Sequence, residues 1–232
     1  MRSFLLIPLV IVFYISTQVS GIVSCSQMFY LAVSLDQKLC WDLSGCPDDP
    51  DLMVIGTKDA RVTGSNTCPA PLSNGELRTA IDAWFEDETN TIKVYGEIWS
   101  WDTSNVTDMA NLFFGQSYFD VESLPWNTSR VTSMYGMFRG ATSFNGDLSS
   151  FDTSSVTDMS QMFHGATLFN GDLSSFDTSR VTDMFYMFEG ATSFNGDLSS
   201  FDTSRVTDMS WMFSGATSFN GDLSSFDTSR VT

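Results

Sequence analysis

The strongest constraint on this chain is a repeat of 25 residues. Valines stand at Val106, Val131, Val156, Val181, Val206 and Val231 without drift, and a threonine follows each. A fixed period of about 20–50 residues marks stacked repeats: one unit cannot bury its own apolar face and hides it against the next. Other columns keep step with the valines. Met109, Met134, Met159, Met184 and Met209 form one, and Phe113, Phe138, Phe163, Phe188 and Phe213 a second. Phe119, Phe144, Phe169, Phe194 and Phe219 form a third, and Trp101, Trp126, Phe151, Phe176, Phe201 and Phe226 a fourth. Each such side chain contributes about 1.5–3 kcal/mol when buried. These columns are therefore expected to be core.

Within a coil the apolar period changes. Met159, Met162, Phe163 and Ala166 fall at i, i+3, i+4 and i+7, one face of about two helical turns. Thr157 or Asp158 can cap such a helix and Gly165 can help end it. "GDLSS" (146–150) alternates around Leu148 and suits a short strand, and "FDTSS" is turn chemistry. The expected fold class is an α/β solenoid, each coil a short parallel strand, a turn and a short helix. A column of Asn145, Asn170, Asn195 and Asn220 is placed to satisfy loop backbone. Coil one departs from the pattern, with Ser123 and Leu124 where later coils have Leu148 and Ser149, so its strand is expected to be irregular.

Ahead of the coils, "SNGELRTAIDAWFED" pairs Ser73 with Glu76 as a capping box and carries an apolar stripe of Leu77, Ala80, Ile81, Trp84 and Phe85. It is expected to cover the open end of the stack, as terminal repeats require. Four segments follow: a signal peptide (1–21), a cysteine-bearing segment (22–72), a capping helix with its connection (73–95), and the solenoid (96–232). The signal rests on Arg2, the twelve-residue apolar run Phe4–Ile15 and small residues at Val19 and Gly21. The run is too short to span a bilayer, which takes about 20 residues. The chain stops in mid-coil at "SRVT", which reads as C-terminally incomplete, and membrane contact is expected only through an anchor beyond it. Cys25, Cys40, Cys46 and Cys68 are even in number in an exported chain and point to disulfides, with three pairings open.

Of eleven Lys and Arg, Arg2 leaves with the signal, so ten stand against 28 Asp and Glu, a net charge of −18. Such a surface repels phosphate backbones, which excludes nucleic acid as a partner.

Catalytic chemistry has little to work with. No hydrolase, phosphate-loop or dinucleotide fingerprint occurs, and the single histidine, His164, is expected on a solvated helix face with no nucleophile beside it. No cofactor is implied, and the chain is not expected to be an enzyme. The acidic column Asp147, Asp172, Asp197 and Asp222 is a weak calcium candidate, because stacked carboxylates repel and a hard cation would relieve them. Threonines at Thr103, Thr128, Thr153, Thr178, Thr203 and Thr228 sit in predicted turns beside Asp, which argues against a flat ice-binding face. Asn105 and Asn127 head N-glycosylation sequons.

The positions that do not repeat are the fourth, fifth and eighth after each valine. Spacings of one and four place them together on the outer side of the predicted helix. Tyr135, Phe185, Tyr186 and Trp211 fall there, and Tyr and Trp are residue types that dominate binding energy. They are the candidate contact patch for a protein or cell-surface ligand.

"WDTSNVTDMANLF", "VTSMYGMFRGATSFN" and "VTDMSQMFHGATLFN" resemble the BspA-type leucine-rich repeats of bacterial, mycoplasmal and protist surface proteins, over roughly residues 74–232. The resemblance implies leucine-rich-repeat-like coils in a secreted or surface-attached protein used for adhesion or protein–protein contact, with no catalytic residues to carry over. The alternatives are a structural wall or matrix protein and a calcium-binding surface solenoid.

Overall fold

A computed structural model describes residues 70–232, and Pro71–Thr232 form one compact unit. The signal peptide, the cysteines Cys25, Cys40, Cys46 and Cys68, and nearly all of the 22–72 segment lie outside the described residues.

The helical cap forms as two helices, α1 (Asn74–Glu86) and α2 (Glu88–Tyr95). The Ser73–Glu76 capping box is present: Ser73 Oγ accepts from the Glu76 N–H, and the Ser73 N–H donates to Glu76 Oε2. The Ser73 hydroxyl also donates to Glu76 Oε2 at 2.6 Å; this bond first, and then that from the Ser73 N–H, favours the charged form of Glu76 and lowers its pKa. Asp87 ends α1 and caps α2, its carboxylate accepting from the Asn90 N–H. Gly96 then closes α2 at φ 78, a left-handed conformation that suits glycine. Gly96 and Ile98, two repeats ahead of Gly146 and Leu148 of the predicted "GDLSS" strand, thus belong to a helix end and to a 3-10 turn, Ile98–Ser100.

The coils correct the predicted fold class. Among the described residues there is no strand, and both α-helices precede the repeats. An α/β solenoid of strands and short helices is not what these residues build. Successive coils touch through isolated parallel bridges, Asp108 to Ser133, Ser133 to Asp158, Asp158 to Asp183 and Asp183 to Asp208. One bridged residue at this position of a coil does not make a strand.

Hydrogen bonding explains why. In the third coil the N–H groups of Met159, Gln161, Phe163 and Gly165 donate to carbonyls of the next coil, those of Asp183, Phe185, Met187 and Glu189. An α-helix needs those N–H groups for its own i−4 carbonyls. The alternate N–H groups of Met162, His164 and Ala166 close i→i+3 turns instead. The predicted helix is therefore a run of overlapping turns, with left-handed residues at Gln161 (φ 58) and Gly165 (φ 68). The predicted strand at "GDLSS" is also a turn: Asp147 accepts from the Ser149 N–H and Leu148 O accepts from the Phe151 N–H.

The expected core columns are nevertheless core. Met159, Met162, Phe163 and Ala166 are fully buried. The two phenylalanine columns form nearly parallel stacks. Phe163 lies 3.9 Å from Phe169 within its coil and 5.7 and 5.6 Å from Phe138 and Phe188 in the neighbouring coils. Gly171 is small because a Cβ there would meet the Phe169 ring at 3.0 Å. In coil one Val121 replaces that glycine, and Leu124 is the buried leucine, with Trp126 N–H closing on Leu124 O across a turn one residue shorter.

Two polar ladders tie the coils together. Asn145, Asn170 and Asn195 each accept, through the side-chain oxygen, the backbone N–H of the next asparagine at 2.8 Å, as the column implied. Thr103, Thr128, Thr153, Thr178 and Thr203 are buried and donate Oγ1–H to a carbonyl of the following coil. A buried hydroxyl column has no face to offer ice.

The cap imitates a coil. The Asn74 side-chain oxygen accepts the N–H of Thr107, a role the preceding coil's Thr carbonyl plays elsewhere. Arg78 donates to Ala110 O at 2.7 Å and lies 3.5 Å from Asp108. Phe85 packs edge-on to Phe113 and Phe119, and Trp84 edge-on to Trp101.

Candidate recognition surface

The variable positions gather on one outer row, set by the overlapping turns. The fifth position after each valine is left-handed in five coils: Asn111 (φ 56), Gly136 (57), Gln161 (58), Tyr186 (56) and Trp211 (61). Glycine and asparagine suit that conformation, whereas for other L-residues it costs roughly 1–2 kcal/mol. Here the row occupies the tips of turns and not the outer face of a helix.

Three of the four candidate residues come together. Phe185 and Tyr186 rings lie 3.9 Å apart, and Tyr186 lies 6.3 Å from Trp211 in the next coil. Trp211 is 64% exposed on the last coil, where Phe213 and Phe219 are also only partly buried, while Phe185 and Tyr186 are half-buried. Tyr135 is half-buried two coils away and makes no ring contact with the others among the described residues.

The eighth position adds a polar edge. His164, expected in full solvent, is half-buried: its Nε2 lies 2.7 Å from Glu189 Oε2 and its ring 5.7 Å from Tyr186. Burial lowers the His164 pKa, outweighing the attraction of Glu189, and Arg139 lowers it further. The distance alone suggests an ion pair, but burial disfavours the charged imidazole. A neutral ring donating Nε2–H to Glu189 reconciles the two. It also explains why Nδ1, a bare acceptor, is buried without a partner. Further along, Arg139 sits 5.1 Å over the exposed ring of Phe114.

Sequence reasoning missed an acidic column beside this row. Asp158, Asp183 and Asp208 hold the bridges between coils, and each accepts the N–H two residues on, that of Ser160, Phe185 or Ser210. Burial raises the pKa of Asp183, the Phe185 N–H pulls it back, and Asp158 and Asp208 add repulsion. The signal was the Asp two residues after Val106, Val156, Val181 and Val206, which also reads as a helix cap.

The calcium candidates have a local task. Asp147, Asp172, Asp197 and Asp222 are exposed, and each accepts the N–H of the serine two residues on, near 2.8 Å. Those bonds hold Asp172 and Asp222 below the usual carboxylate range. No group of three or more His, Cys, Asp or Glu is placed to hold a metal among the described residues. Asn105 and Asn127 are exposed; Asn127 accepts from Ser129, and Asn105 from Arg130. No described helix is long and apolar enough to cross a membrane.

The family described as "Mycoplasma protein of unknown function, DUF285" matches residues 79–185 and 148–232. The chain belongs to this family. Searches of the curated proteins and of the solved structures find no match. The DUF285 match starts inside α1 and takes in every coil, so cap and repeats fall within one family pattern. That pattern carries no stated activity, and the chemistry of the surface rests on its geometry.

Proposed function

We propose that this is a secreted or cell-surface repeat protein that works by recognition or adhesion, without catalysis. The observation that carries this reading is the joined aromatic row Phe185, Tyr186 and Trp211 on a frame whose other columns are committed to packing and backbone bonding. An exposed Trp211 beside a half-buried Tyr186 supplies large contact area at low entropic cost. The likeness of the repeats to BspA-type surface proteins supports the same reading, as do the signal-like leader and the sequons at Asn105 and Asn127.

The test is binding of the labelled chain to cell surfaces and to immobilised surface proteins. Saturable binding is expected for the native chain and loss of binding for a Tyr186→Ser/Trp211→Ser variant with an unchanged circular dichroism spectrum. Binding that survives both substitutions overturns this surface. Open-ended self-assembly without saturable binding favours the matrix role instead.

A further inference from the structure

We propose that the Phe185–Tyr186–Trp211 face takes an extended cationic peptide segment, its Lys or Arg side chains lying over the rings and against Asp183 and Asp208. This deepens the recognition reading above and rests on it.

The rings are there against the preference of the backbone. Coils one and two fill the same left-handed position with Asn111 and Gly136, so the turn does not need an aromatic side chain. Two successive coils nevertheless place Tyr186 and Trp211 at φ 56 and 61. Strain of this kind points to use of the side chain. The result is a pair of ring faces 6.3 Å apart running from one coil to the next, and such faces attract cations.

Charge supplies the second half of the argument. Asp183 and Asp208 stand in the same two turns, each with one oxygen on a backbone N–H of the aromatic segment. Neither is paired with a basic side chain among the described residues. Glu189 borders the row, its Oε2 2.7 Å from His164 Nε2. Of the basic residues nearby, Arg139 lies over Phe114, Arg180 and Arg230 act on Asp177 and Asp227, and Arg205, three residues before Asp208, forms no ion pair among the described residues. An aromatic face flanked by unneutralised carboxylates, on a chain of net charge −17, complements a basic segment. Guanidinium and ammonium groups satisfy ring face and carboxylate together, which a neutral chain cannot do.

The experiment titrates the full chain into fluorescein-labelled octa-arginine, with a neutral Gly/Ser octapeptide and a neutral hexasaccharide as controls, read by anisotropy. Octa-arginine is expected to bind saturably, and more weakly at high salt, and neither control is expected to bind. Tyr186→Gly/Trp211→Gly keeps the net charge and suits the left-handed backbone, so it should melt no lower than the native chain yet bind at least tenfold more weakly. Asp183→Asn/Asp208→Asn keeps a side-chain acceptor for the turn, and should weaken binding at least fivefold.

Equal binding by the glycine variant would reduce the effect to diffuse charge and overturn the site. Preference for the hexasaccharide would overturn the cationic partner, as would failure of the native chain to bind octa-arginine. In those cases, cell binding that still depends on Tyr186 and Trp211 leaves the recognition reading standing, and cell binding indifferent to them removes both.

Discussion

Two segments of this molecule share one hydrophobic pattern and fold differently. In α1, Leu77, Ala80, Ile81 and Trp84 stand at i, i+3, i+4 and i+7; in the third coil, Met159, Met162, Phe163 and Ala166 stand at the same spacing. Both sets are buried, yet only the first is a helix. Helical periodicity therefore reports which residues face inward and not how the backbone is bonded. In α1 the N–H groups have carbonyls of their own segment as partners. In the coil, every second N–H has a better-placed carbonyl one repeat away, and Gly165 and Gln161 adopt the left-handed conformation that aims it there.

Deleting the coil's largest packing element should have the largest effect. Phe163→Ala removes a fully buried ring stacked on three others and should destabilise the chain by about 3–5 kcal/mol in urea titration.

A smaller effect decides the comparison by its sign. If the coil segment ran on as a helix through Gly165, Gly165→Ala would stabilise it by about 1 kcal/mol. With φ at 68 the same change should destabilise by about 1–2 kcal/mol, although the nearest atom to the added Cβ, the Gly140 Cα, is a comfortable 3.8 Å away. Gln161→Gly should move the other way and raise the melting temperature, since it also removes a buried, unpartnered side-chain oxygen.

The smallest effect is that of pH. Asp172, Asp177, Asp202, Asp222 and Asp227 are held below their ordinary pKa of 3.8 by the serines that donate to them. The unfolded chain therefore takes up protons first, and the stability these groups contribute is lost as pH falls below 3.8 through their folded values. Asp183 has the opposite sign: its raised pKa favours the folded form in acid and opposes it as pH rises. Urea midpoints should accordingly decline below about pH 4, while Asp183→Asn should raise the midpoint at pH 7. His164, lowered from 6.5 mainly by burial, adds a shallow loss of stability as pH drops below 6.5, and His164→Gln should remove that loss.

These contrasts also show what could be read from the residues. The 25-residue register, the buried columns, the capping box and the asparagine ladder were legible, because each depends on residue type at a fixed position. The element types were not. Nothing in the letters Gln161, Tyr186 or Trp211 signals a left-handed backbone, and the partners of Met159 and Phe163 N–H lie a full repeat away. Asp158 reads as a helix cap because its chemistry is that of one: it accepts the N–H two residues on, but a chain of turns follows. The candidate row was visible as letters that refuse to repeat, whereas the neighbouring carboxylates were hidden by repeating.

The aspartate-capped turns have a consequence for scale. The coil from Val156 to Arg180 carries three aspartates against one arginine, and each of the three closes a turn. Acidity here is a by-product of bending the chain, so it accumulates with every coil added. An array that grows by duplicating this unit adds mutual repulsion between molecules in step with its apolar core. Length and colloidal solubility then rise together, without separate selection for a soluble surface.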